Sequence, residues 1–126
     1  MRPGTVFLTA GVLALAFGLS FLLVPATVLP LYGVPTDAAT VLMARFFGVA
    51  LLNAGLIVYL LRDVREPSSQ RTLALAGVVG SVAGAAVALT AVLGGVVNAL
   101  GWSTVAIYTL LLLGYATCLR EGPGAA

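Results

Sequence analysis

The chain has 126 residues, of which 61% are hydrophobic and 8% charged, and its formal net charge is +2. An average soluble domain carries about 25% charged residues, and one of this length has no interior large enough to hide so much apolar surface. The composition therefore excludes an ordinary soluble domain and calls for a bilayer as solvent.

The first apolar run, 5–24, is uncharged and follows Arg2. A secretory signal also begins with a positive charge and an apolar stretch, but no A-x-A cleavage site follows, so the run reads as a retained span. Pro25 ends it, because proline disfavours helix in the residue before it. The segment 25–37 holds Pro25, Pro30, Pro35 and Gly33, which rule out a regular long helix. It is expected in the interface or dipping shallowly between helices, where irregular backbone rests on protein or water.

A second span is predicted over 38–61, with Thr36 or Asp37 as its N-cap. Arg45 and Asn53 are its strongly polar residues. The loop 62–71 (RDVREPSSQR) is hydrophilic. A third span is predicted over 72–93, a turn containing Asn98 over 94–101, and a fourth span over 102–119, followed by a tail expected to be disordered at its tip. The predicted fold is all-α: a single-domain, integral membrane four-helix antiparallel bundle.

Arg2, Arg62, Arg65, Arg71 and Arg120 all fall on one side of this arrangement, and the loops on the other side carry no basic residue. By the positive-inside rule both termini are cytoplasmic, in the cytoplasmic (inner) membrane of a bacterium. Tyr32 and Trp102 would mark the outer interface, Tyr59 and Tyr115 the inner one. Small residues recur at helix-packing spacing: Gly11 and Gly18; Ala44, Gly48 and Gly55; Gly80, Gly84 and Ala88, with Gly77, Ser81 and Ala85 beside them. They are expected to bring helices close within the chain. On a second reading Gly80 and Gly84 of the third span meet another copy or a larger membrane complex.

Catalytic equipment is missing from the sequence. There is no His, no Lys and a single Cys, Cys118, so neither a zinc site nor a dithiol, a phosphate-binding Gly-rich loop with its Lys, or a His-activated nucleophile can be assembled. Cys118 is expected to be a small buried hydrophobe. The dispersed charge gives no footprint for nucleic acid. No catalytic residue and no metal ligand is predicted, and no cofactor beyond a bound lipid or quinone.

Arg45 is the first candidate site residue, because an ionisable group inside a span is costly. With the span centred near Leu51, Arg45 lies about 9 Å outward, some 6 Å below the edge of a roughly 30 Å core. That is close enough to snorkel. Two readings stand: it reaches the interface and the outer loops, or it grips the polar head of a ligand. Asp37, Tyr32 and Asn98 are its candidate partners, and Asn53 near mid-membrane reads as interhelical glue or a ligand contact. With Trp102, these residues make up the candidate ligand site.

The block ARFFGVALLNAGL at 44–56, after the LYGVP loop at 31–35, resembles the second span of DoxX-like four-helix bacterial membrane proteins, in which an Arg opens a helix with glycines at the positions of Gly48 and Gly55. The resemblance covers about residues 32–62; elsewhere it is length and hydropathy. It implies a four-helix antiparallel bundle, and, because some relatives are subunits of membrane oxidoreductases that deliver electrons to quinone, a quinone or lipid ligand. The chain departs from the redox-active branches in lacking a Cys pair. The expected function is that of a non-enzymatic accessory subunit or lipid- or quinone-binding bundle, with a small-solute channel or transporter formed by an oligomer as the alternative.

Overall fold

A computed structural model of the chain describes residues 2–121. Its elements are α1 (Pro3–Leu23), α2 (Pro25–Leu31), α3 (Ala38–Leu60), α4 (Pro67–Leu93) and α5 (Gly101–Glu121), with no strand among the described residues. α1, α3, α4 and α5 are each long and apolar enough to cross a membrane. The tail tip expected to be disordered lies outside the described residues.

Local chemistry sets the boundaries. Pro3, Pro25 and Pro67 open α1, α2 and α4, where a missing N–H costs no hydrogen bond. The proline-rich segment is a seven-residue helix, α2, with Pro30 near its end. Asp37 caps α3, accepting from the Thr40 amide and hydroxyl, both at 2.9 Å. α4 begins at Pro67 rather than at 72. Glu66 accepts from the Ser68 and Ser69 backbone amides at 3.0 and 2.8 Å, and the Gln70 side-chain amide donates to the Val64 carbonyl at 2.8 Å. Arg71 thus lies in the helix, and the loop before it is short.

The helices pair into two antiparallel hairpins. α1 lies along α3 through its glycines. A Cβ at Gly48 would stand 2.7 Å from the Gly18 carbonyl oxygen and the Leu22 nitrogen, and one at Gly11 would stand 3.1 Å from the Gly55 carbonyl oxygen. Gly11 and Gly18 are seven residues apart, as are Gly48 and Gly55, which is the repeat of a close-packed, left-handed helix pair. α4 lies along α5 with bulk against void: Gly77 receives the Tyr115 ring and Gly84 the Tyr108 ring. Gln70, Ala74 and Ser81 are buried on the same seam.

The hairpins join at their ends. At the arginine-rich end Val6, Phe7 and Ala10 of α1 form a buried core with Ala74, Tyr115 and Cys118. Phe7 and Tyr115 have ring centroids 6.1 Å apart. Tyr115 is therefore a core residue, not the interfacial anchor expected of it. At the opposite end Asn98 ties the loops together. Its side-chain amide donates to the Leu31 carbonyl at 3.0 Å, its side-chain oxygen accepts from the Leu100 amide at 3.0 Å, and its backbone N–H donates to the Tyr32 carbonyl at 2.9 Å. Gly33 turns beneath it at φ +72°, with room for a Cβ only 3.4 Å from Asn98. Between the two clasps α3 and α4 barely touch.

Candidate functional site

A concave feature lies in the gap between the hairpins. It is a half-open cleft of about 430 Å³, within the roughly 300–1,000 Å³ range of small-molecule sites. It occupies the half of the bundle nearer the Asn98 clasp. α1 contributes Leu13, Phe17 and Phe21, α3 contributes Met43, Phe47 and Leu51, and α5 contributes Ile107 and Leu111. Phe21 and Phe47 meet edge to face at 5.2 Å. Leu29 and Tyr32 roof it, while Ala88 and Ala91 keep the α4 wall low. The space exists because α4 carries small residues where α3 and α5 carry aromatics.

Polar atoms are few on this lining. Tyr32, Thr40, Thr104 and Tyr108 bring hydroxyls to it, and the Thr104 hydroxyl donates to the Tyr32 hydroxyl at 3.5 Å. A shallower groove shares Phe47, Ala88, Thr104 and Tyr108 with the cleft and adds Ala83, Gly84 and Val87. It lies beside the cleft, between α3, α4 and α5.

The sequence-derived candidates do not converge on this cleft. Of Arg45, Asp37, Tyr32, Asn53, Asn98 and Trp102, Tyr32 alone lines it. Asp37 is committed to capping α3, and the hydrogen bonds from Thr40, the backbone amide first, hold its carboxyl below the ordinary value. Asn98 is a clasp. Trp102 is exposed at the start of α5. Arg45 and Asn53 are exposed on α3, and their positions lie around the helix from the cleft-lining Met43 and Phe47. Neither makes a hydrogen bond or ion pair among the described residues. The expected bonding of Arg45 to the outer loops through Tyr32, Asp37 or Asn98 is not formed: Arg45 is exposed on α3, around the helix from the face that meets the cleft.

Sequence reasoning missed the residues that do form the cleft. Phe17, Phe21, Phe47, Thr104 and Tyr108 were not among its candidates. The usable sign was the run of small residues on α4 opposite the bulky side chains of α5. Gly84 packs within the chain, as the first reading expected, and is filled by Tyr108, whereas Gly80 has nothing near its Cβ direction.

The electrostatics gather at the arginine-rich end. Arg62 lies over the Tyr59 ring at 4.2 Å and donates to the Tyr59 carbonyl at 2.8 Å. Glu66 is pulled down to about 2, chiefly by the Ser68 and Ser69 hydroxyls. Among the described residues no group of three or more acidic or Cys side chains could hold a metal ion.

Together the fold and the cleft define a membrane-embedded, all-helical bundle with an apolar chamber between its two hairpins. Comparison with family models, with curated proteins and with solved structures returns no match.

Proposed function

We propose that the chain is a non-enzymatic membrane protein that holds an apolar membrane molecule, a lipid chain or an isoprenoid quinone, in the cleft between its hairpins. The supporting observation is the lining: aromatic and aliphatic side chains from all four spans around about 430 Å³, in a gap where α3 and α4 barely touch. An apolar ligand enters such a site from the membrane without crossing water. The hydroxyls of Tyr32 and Thr104 stand at the roof, where a carbonyl- or ester-bearing head would need donors. The DoxX-like resemblance of residues 32–62 points to the same ligand class, and fits an accessory subunit beside a quinone-using enzyme. A solute channel is less well supported, because Arg45 and Asn53 both lie off the cleft. The five arginines at one end favour cytoplasmic termini in a bacterial inner membrane, a placement that labelling of a Cys at position 68 from outside intact cells would contradict.

The test is ligand content. Protein purified in native lipid particles is extracted, and its quinone and phospholipid are quantified by mass spectrometry. Ala88→Phe, which fills the cleft from α4, should lower the bound molecule severalfold relative to wild type, whereas Gly80→Leu on the outward face of α4 should not. Equal content in folded Ala88→Phe and wild-type protein would refute the proposal.

A further inference from the structure

We infer that the outward face of α3 is a homodimer interface in which Asn53 pairs with Asn53 of a second copy. Around α3, Leu42, Phe46, Val49, Asn53, Leu56 and Leu60 follow one another at alternating steps of four and three residues, the repeat of a two-stranded coil. All six are exposed, the five apolar ones by 48–64%. The seam is separate from the one that faces α1, which runs through Ala44, Gly48 and Gly55. It is about 27 Å long at 1.5 Å per residue, close to the roughly 30 Å of a hydrocarbon core.

Apolar residues facing lipid need no partner, so the leucines alone prove nothing. Asn53 decides the matter. It lies between Gly48 and Gly55, at the middle of the α1–α3 contact, and no hydrogen bond satisfies its carboxamide among the described residues. Arg45, eight residues or about 12 Å toward the membrane surface, has a long stem and can snorkel. Asn53 has one methylene and cannot. A carboxamide at that depth needs a polar partner at the same depth on another chain.

A second copy supplies that partner by construction. All five basic residues outside α3 lie at one end of the bundle, so two copies in one membrane insert the same way up. A two-fold axis along the membrane normal then places identical residues at identical depths. A carboxamide carries both donor and acceptor, so two of them related by that axis can exchange hydrogen bonds. One Asn in an apolar heptad seam is also a known device for fixing register and strand number.

Two measurements test this in full-length protein. In a Cys118→Ala background, single cysteines at 49, 53 and 56 should cross-link between copies under mild oxidation, since a disulfide needs Cα atoms within about 7 Å. Cysteines at 54, at the same depth but off the seam, and at 80, on α4, should not. Asn53→Leu should keep the helical spectrum and melting behaviour while weakening association about eightfold, the effect of losing two interhelical bonds of average measured size. Faster cross-linking at 54 or 80 than at 53, or unchanged association in folded Asn53→Leu, would overturn the assignment.

Discussion

Substituting Gly48 with Ala sets two helix effects against each other. In an open helix the change is favourable, because Ala gains about 1 kcal/mol over Gly in propensity. At Gly48 the new Cβ would stand 2.7 Å from two backbone atoms of α1, against 3.4 Å or more in ordinary contact. Backbone cannot rotate away as a side chain does, so α1 and α3 must part by about 0.7 Å. A gap of that size forfeits a quarter to a half of each affected dispersion contact, and overpacked cores typically lose about 1–3 kcal/mol. Packing wins, and Gly48→Ala should be destabilised by about 1–2 kcal/mol. Gly80 supplies the internal comparison, since nothing lies within 4 Å of its Cβ direction. Gly80→Ala should gain about 0.5–1 kcal/mol. Reversible unfolding in mixed micelles, followed by circular dichroism, measures both. If Gly48→Ala proves as stable as Gly80→Ala, the glycine-mediated approach of α1 to α3 is wrong.

Asn98→Ala removes one side-chain bond between the loops, to the Leu31 carbonyl, and one within its own loop, from the Leu100 amide; at an exposed site it should cost roughly 1 kcal/mol and speed hydrogen exchange of the Leu100 amide, and unchanged exchange would show that the Asn98 side chain is not placed this way. The Glu66 carboxyl is lowered from its usual 4.5 to about 2 in the folded chain, so its support of α4 is complete above pH 4.5 and is lost as pH falls toward 2. Amide protection at Ser68 and Ser69 should fall across that window, and Glu66→Gln should remove this pH dependence; protection indifferent to pH in the wild-type protein would show that Glu66 is not the cap.

The spans were legible because bilayer thickness fixes helix length, and charged or turn-forming residues punctuate every end. Sequence placed the third span five residues late, at 72. The hydropathy of PSSQR hides a helix start whose signal is chemical: Glu66 before Pro67, with two serines to donate to it. Pairing was less legible. Small residues at four-residue steps on α4 suggested Gly80 and Gly84 as one surface, yet the helix packs on a heptad seam that takes Gly77, Ser81 and Gly84 and leaves Gly80 outside. Steps of four alone drift around a helix, while alternating three and four hold one face.

The candidate site was the least legible part, and the reason lies in how polar residues behave in lipid. Arg45 and Asn53 stood out because charge and amide are expensive inside a membrane. That expense says only that each needs an outlet, not that the outlet is a ligand. Side-chain reach separates the two cases: Arg45 can find water at the interface, and Asn53, with a single methylene, cannot. The cleft, by contrast, is built from residues that cost nothing in lipid and so announce nothing in sequence. It arises where Ala88 and Ala91 of α4 face Phe17, Phe21 and Phe47 across a gap that the two end clasps hold open. A chamber of this kind is a property of which helices pair. It becomes visible only once α1 is known to lie on α3 and α4 on α5, leaving α3 and α4 apart.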